Sequence, residues 1–217
     1  MNVLIIGAPG TGKGTMSDLI ISDYKLIHIS TGDMLRSAVA NKSEVGLKAA
    51  EYMNKGLLVP DEIIHGVIVE RLSQSDILNG GFILDGYPRN LEQAKDLNTI
   101  LESINLKIDS VIDLELDESI LVDRITGRRT CGDCKAIYHI KSKPSKLEGI
   151  CDVCGGKLTQ RKDDTEESLK ERLGEYHKNT QPVIEYYKEK GLVSVINADQ
   201  AKENVYADIK TVLEGIK

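Results

Sequence analysis

The stretch GAPGTGKGT, Gly7–Thr15, follows directly on the apolar run Val3–Ile6 and constrains the fold more than any other part of the chain. A strand that runs into a glycine-rich turn and then into a helix is built to hold phosphate. Glycines let the backbone curl until several N–H groups face one anion, and the helix amino terminus adds its partial positive charge. Lys13 supplies a mobile point charge for the outer phosphates. The spelling departs from the general pattern G-x-x-x-x-G-K-[ST] in one place. Gly14 stands where the hydroxyl belongs, and the hydroxyl arrives one residue late as Thr15. In switch and motor proteins that first hydroxyl ligates Mg²⁺, so a different group must serve the metal here.

Short apolar runs alternate with helical stretches, as in a parallel sheet with crossover helices. The expected strands are Val3–Ile6, Ile27–Ile29, Phe82–Leu84, Val111–Leu116 and Val193–Ile196. Their nearly continuous apolar character predicts a sheet covered on both faces. Helices are expected over Leu91–Leu101, Ser119–Ile125 and Val205–Leu213, and Asp164 with Glu167 reads as the capped start of another. Two segments break the alternation. Thr31–Pro60 carries two extra helical stretches, around Met34–Ala40 and Val45–Asn54, and Gly127–Lys162 is rich in Gly, Lys and Cys with no core-helix pattern. Both read as insertions on one α/β core.

The 217 residues carry a net charge of −6, which argues against general nucleic-acid binding. That charge is uneven. From Arg124 to Lys162 ten Lys/Arg face three Asp/Glu, a balance of +7, while the remainder holds eighteen basic and thirty-one acidic residues, −13. One basic segment on an acidic body points to a local anion site; a solvated loop is the alternative. No apolar run approaches the ~20 residues of a membrane span. Val3–Ile6 is too short for a signal peptide, so a cytoplasmic protein is expected.

All four cysteines fall in the basic segment, as Cys131-x2-Cys134 and Cys151-x2-Cys154. Two such knuckles at this separation form a metal-ligand pattern. An all-thiolate tetrahedral site is closed, so the ion is expected to be structural, stiffening a lobe too small for a core of its own. Zinc is the default, although sulfur-only ligation also suits iron. Two disulfides are the alternative, disfavoured in a reducing compartment. His28, His65, His139 and His177 show no metal spacing, and His28 is expected to be packed on a strand.

Further motifs sharpen the reading. STGDMLR (Ser30–Arg36), GLLVPDE (Gly56–Glu62) and GFILDGYPRNLEQA (Gly81–Ala94), together with the glycine loop, resemble the nucleoside monophosphate kinases. With TGRRTC (Thr126–Cys131) and QRKDD (Gln160–Asp164) added, the chain resembles the adenylate kinase branch of that family in its bacterial, long-lid form. The likeness runs over nearly the whole chain in the family's order. It implies a P-loop NTPase core with a five-stranded parallel sheet, formed by residues 1–29, 61–126 and 165–217, a helical monophosphate-binding insertion over 30–60, and a metal-bearing lid over 127–164.

The resemblance also implies the reaction ATP + AMP ⇌ 2 ADP with Mg²⁺, and a set of site residues. Gly10, Thr11, Gly12, Lys13, Gly14 and Thr15 would hold the ATP phosphates. Arg128 and the backbone of Ile137 and Tyr138 would cover ATP from the lid, and the backbone at Gln200 would touch its adenine. Thr31, Arg36, Leu57, Leu58, Val59, Gly86, Tyr87, Pro88, Arg89 and Gln93 would form the AMP pocket, with Gln93 on the base. Arg124, Arg161 and Arg172 would clamp the transferring phosphates, the last two reaching the AMP side as well. Met16 departs from the glutamine of many relatives.

Guanidiniums suit this chemistry. The acceptor oxygen is already nucleophilic, so catalysis reduces to bringing two polyanions into line and neutralising their charge. Arginine stays charged and grips phosphate bidentately. For the late hydroxyl, Asp85 is the expected substitute. It ends the strand Phe82–Leu84 at the carboxyl edge of the sheet, where ligands bind in such folds, and would hold the waters of a nucleotide-bound Mg²⁺, with Asp33 as a second candidate. Three other readings stay open: a sister kinase acting on UMP or CMP, a zinc-ribbon ATPase that binds nucleic acid, and an inactive nucleotide-binding scaffold. No stripe of exposed apolar residues asks for a partner, so a monomer is expected. Asn54-Lys55 and Asn41-Lys42 lack the aspartate of an N-K-x-D guanine reader, which removes the switch GTPases.

Overall fold

The computed structural model describes residues 1–55 and 57–216. Gly56, the first residue of the GLLVPDE motif, lies outside the described residues. The chain runs β1 (Asn2–Gly7), α1 (Lys13–Tyr24), β2 (Ile27–Ser30), α2 (Thr31–Ala40), α3 (Glu44–Asn54), α4 (Asp61–Leu72), α5 (Ser75–Gly80), β3 (Phe82–Asp85), α6 (Leu91–Ser103), β4 (Ser110–Glu115) and α7 (Glu118–Thr126). Then follow β5 (Arg128–Cys131), β6 (Ile137–His139), β7 (Leu158–Thr159), α8 (Glu166–Glu175), a π-helical turn (Tyr176–Thr180), α9 (Gln181–Glu189), β8 (Val193–Asn197) and α10 (Lys202–Glu214).

Five strands form one parallel sheet in the order β2-β3-β1-β4-β8. Central β1 pairs Leu4 with Leu84 on one side and with Val111 on the other. Side chains alternate across a strand, so β1 feeds two apolar layers. Leu4 and Ile6 enter one with Phe82, Leu84, Ile68 and Leu97, while Val3 and Ile5 enter the other with Ile20, Ile83, Ile112 and Ile209. All six residues of β1 are buried, which is why that strand reads as a continuous apolar run. Each such side chain contributes about 1.5–3 kcal/mol by leaving water.

Helices cap themselves locally. Ser30, Ser43, Asn90, Asp117 and Thr165 accept side-chain hydrogen bonds from the first turns of α2, α3, α6, α7 and α8. The cap of α8 corrects the sequence reading. Thr165, not Asp164, accepts from the Ser168 amide. Asp164 is fully buried and holds Arg128 instead. The capping signal was sound, but two adjacent residues could answer it, and the Arg128 guanidinium claimed the buried carboxylate.

The two segments that broke the alternation behave differently. The first is a helical hairpin, α2 against α3, closed where Gly46 packs on the Ala38 backbone; a Cβ there would meet the Ala38 carbonyl oxygen at 2.1 Å. The second is a small antiparallel sheet, β6-β5-β7, whose buried cluster is Cys131, Tyr138, Cys151 and Leu158.

Candidate active site

The glycine loop sits at the carboxyl end of β1. Gly10 and Gly12 adopt φ of +93° and +101°, values that L side chains rarely reach, and Gly12 caps α1 from that left-handed conformation. Thr11 folds back with its amide and its hydroxyl both donating to the Ala8 carbonyl. Lys13 arches over the turn and donates to the carbonyls of Gly7 at 2.7 Å and Ala8 at 3.0 Å. The small sheet lies against this loop, since a Cβ added at Gly14 would sit 3.4 Å from the Ile137 side chain.

Positive charge converges above the loop. Burial lowers the Lys13 pKa from 10.5 to about 8; Asp85 opposes that shift, and Arg172, Arg89 and Arg128 deepen it. Arg172, on α8, falls to about 10 through burial, with Asp163 opposing and Arg128 and Arg89 adding to the fall. Arg161 also falls to about 10 through burial, pressed further by Arg36 and Arg128 and relieved by Asp33 and Asp164. Burial lowers Arg89 too, with Asp85 opposing it and Arg36 adding to it. Each of these cations therefore feels several of the others. They arrive from the loop helix, from α2, from the turn after β3, from β5 and its sequel, and from α8.

Carboxylates hold this crowd in place. Asp164 grips Arg128 through two guanidinium nitrogens. Asp163 accepts from Arg172 at 3.1 Å, and Asp33 accepts from Arg36 at 2.6 and 3.1 Å. Phosphate oxygens would fit the same forks, because the guanidinium matches either anion. Sequence reasoning missed Asp163 and Asp164 as partners, although both stand in the QRKDD motif beside Arg161. Arg124, on α7, donates to the Ala198 carbonyl at 3.2 Å.

Beside the cations lies a narrow cleft of about 70 Å³. Thr31, Arg36, Leu57, Leu58, Val59, Gly86, Tyr87, Arg89, Gln93 and Arg172 all line it. Pro88 and Arg161 are not among its walls. The Thr31 hydroxyl and the Arg89 Nε both donate to the Gly86 carbonyl, at 2.8 and 2.7 Å. Gln93 is buried and engaged at both ends. Its Oε1 accepts from the Arg89 amide and its Nε2 donates to Asp61 at 2.5 Å. Asp61, at the start of α4 and the aspartate of GLLVPDE, also accepts from the Asn90 side chain and so braces Gln93 from behind the cleft wall. A wider groove of about 760 Å³ lies near Ile108–Ser110 and Leu192, at the amino ends of β4 and β8. It is remote from the loop, and ligands in such sheets bind at the carboxyl ends.

Asp85 ends β3 at the level of Ile5 on β1 and Ser30 on β2. Its Oδ2 lies 4.0 Å from His28 Nε2, so His28 borders the site instead of packing away in the core. Asp33 is pulled below the usual carboxylate range: burial alone would raise it, and Arg36 and the Arg36 hydrogen bond outweigh that. Oxygen donors beside a phosphate loop are what a hard divalent cation selects. The Gln200 side chain donates to the Asn197 carbonyl and to Asp208.

The cysteines form a second centre. The four Sγ atoms all lie within 4.8 Å of one another, and Cys131–Cys154 and Cys134–Cys151 approach to 3.5 Å. A tetrahedral site with metal–sulfur distances of about 2.3 Å has edges of about 3.8 Å, close to these separations. A disulfide needs about 2.05 Å, and all four thiols are free. The cluster can therefore bind a metal ion.

The comparisons with known proteins agree with this geometry. The family model for adenylate kinase matches residues 5–192. The adenylate kinase of Clostridium tetani (strain Massachusetts / E88) is 46% identical over 216 residues, covering 100% of both chains. That of Lactococcus lactis subsp. lactis (strain IL1403) is 49% identical, covering 98% of this chain and 100% of its own. That of Caldicellulosiruptor bescii is 47% identical over 100% of this chain and 99% of its own. A glycine loop, a shared cationic cleft and end-to-end likeness coincide in one sequence, and the chain belongs to the adenylate kinase family.

Proposed function

We propose that the chain catalyses the reversible transfer of the terminal phosphoryl group of ATP to AMP, giving two ADP, as a nucleotide kinase serving energy balance and purine salvage. One observation carries this reading. Burial lowers the pKa of Lys13, Arg89, Arg161 and Arg172, and neighbouring guanidiniums, Arg36 and Arg128 among them, lower it further, so the cleft is under electrostatic load until polyanions enter it. Two phosphorylated nucleotides relieve that load at once, and their reacting ends are thereby held in line.

The roles divide along the chain. Gly10–Thr15 cradle the donor phosphates, with Arg128, the Ile137 and Tyr138 backbone and the backbone at Gln200 around the rest of ATP. Thr31, Arg36, Leu57–Val59, Gly86–Arg89 and Gln93 hold AMP, and the base trades for a hydrogen bond that Gln93 now makes internally. Lys13, Arg89, Arg124, Arg161 and Arg172 neutralise the transferring group. Asp85, with Asp33, would hold the waters of a nucleotide-bound Mg²⁺, which supplies further charge neutralisation between the outer phosphates. Residues 1–29, 61–126 and 165–217 act as the core, 30–60 as the monophosphate-binding part and 127–164 as a lid that excludes water. Structural zinc occupies the Cys131, Cys134, Cys151 and Cys154 site, and the protein works as a cytoplasmic monomer.

Purified protein with Mg²⁺ should form ADP from ATP and AMP, and a linked di-adenosine polyphosphate should block it. AMP, CMP, UMP and GMP are compared as acceptors in a coupled assay. No ADP, or a preference for CMP or UMP, would overturn the assignment.

A further inference from the structure

The Tyr138 hydroxyl has two polar neighbours, and neither belongs to the nucleotide cleft. It accepts from the Asp152 backbone amide at 2.8 Å and lies 3.5 Å from the Sγ of Cys151. Tyr138 and Cys151 are both buried, 5% and 2% exposed, in the cluster they share with Cys131 and Leu158. The Asp152 amide uses a lone pair of the phenol oxygen. The phenol's own hydrogen is then left for the sulfur. A metal-bound cysteine is a thiolate and has no hydrogen to give, so the direction of this bond is determined once the site is filled: Tyr138 donates, Cys151 accepts. The backbone amides of Val153 and Cys154 donate to the same sulfur. Cys151 is therefore supported from outside the cluster, and Tyr138 supplies the support that reaches it from a strand.

That strand is β6, Ile137–His139, the one whose Ile137 side chain lies against the glycine loop. Lys143 stacks over the Tyr138 ring at 5.2 Å and donates to the Ile137 carbonyl at 2.8 Å, so ring and strand are held as one piece. We propose that Tyr138 is a positioning residue for the cysteine metal site: its hydroxyl holds the Cys151 thiolate in place and ties that site to the strand covering the donor nucleotide. The inference rests on the metal occupancy proposed above. Removing an outer hydrogen bond to a metal ligand typically weakens metal binding 10–100-fold. With two backbone donors remaining on Cys151, the lower end of that range is expected.

Tyr138→Phe keeps the ring and deletes the donor. Metal content is measured first on the unaltered protein, then the rate of metal release to a chromogenic chelator is compared between the two, with circular dichroism as the check of folding. The unaltered protein should hold one ion per chain; Tyr138→Phe should release it about tenfold faster. Cobalt substitution gives a second reading on the same pair, since the sulfur-to-metal charge-transfer band should shift when Cys151 loses its donor. A saturating linked di-adenosine polyphosphate should slow release in the unaltered protein and do so less in Tyr138→Phe, because coupling between sites is reciprocal. No metal in the unaltered protein overturns the occupancy itself. Metal present with equal release rates and an unmoved cobalt band overturns the role of Tyr138 alone. If Tyr138→Phe misfolds, the nucleotide effect on release in the unaltered protein still decides, and its absence refutes the tie to β6.

Discussion

The crowding of positive charge predicts that nucleotide binding draws a proton from solution. In the empty cleft Lys13 titrates at about 8, against 10.5 for an unperturbed lysine, because burial and then the facing arginines disfavour its charged form. At pH 8 about half of the empty sites therefore carry a neutral lysine. A polyphosphate beside the ammonium reverses the balance and returns its pKa to the ordinary range, so binding at pH 8 takes up about half a proton per chain. At pH 6 both states are fully protonated at this group and uptake falls to near zero. The same linkage acts on the fold. The unfolded chain keeps the proton up to 10.5 and the empty folded one only to about 8, so Lys13 adds stability as pH rises through that window and none below it. Calorimetry with a linked di-adenosine polyphosphate, in buffers of differing ionisation enthalpy, reads the uptake directly. Its slope should be about +0.5 at pH 8 and should vanish in Lys13→Met. A flat slope at pH 8 would mean that Lys13 is an ordinary solvated lysine, and the reasoning would fail.

Asp85→Asn should lower turnover about 100-fold or more at ordinary Mg²⁺ and shift the Mg²⁺ dependence, with the AMP KM changed less than twofold; an unaltered Mg²⁺ titration would remove Asp85 from the metal's surroundings. Stripping the cysteine metal should lower Tm by about 5–10 °C, the effect of a few kcal/mol in a chain of this size, and scanning calorimetry before and after chelation reads it. Asp164→Asn leaves the partly buried Arg128 with a weaker partner, and the empty protein should lose about 2–3 kcal/mol, seen in denaturant unfolding. A saturating linked di-adenosine polyphosphate should recover much of that loss, because its phosphates can take the place of the carboxylate.

Much of this was legible in the sequence because two strong physical signals were local. Buried parallel strands must be continuously apolar, and Val3–Ile6, Phe82–Leu84 and Val111–Leu116 could be read almost to the residue. The glycine loop and the cysteine knuckles have spacings that chemistry imposes. What escaped depends on distance along the chain. Asp164 looked like a cap because its immediate neighbours allowed it, whereas its partner Arg128 lies thirty-six residues away. Asp61 reaches Gln93 from α4 across thirty-two residues, and no periodicity announces such a bond. His28 was assigned to packing from its strand, but it is only partly buried and its ring reaches from the level of Ile83 to within 4.0 Å of Asp85, a contact between strands that the local sequence does not announce.

The central claim is that cations from separate parts of the chain serve one pair of bound polyphosphates. Calorimetric titration of a linked di-adenosine polyphosphate into the unaltered protein and into Arg36→Ala, Arg89→Ala and Arg128→Ala tests it most directly. The account predicts one molecule per chain and at least a tenfold loss of affinity for each replacement, all for the same binding event. Two independent sites, or full affinity after any one of the three replacements, would contradict it.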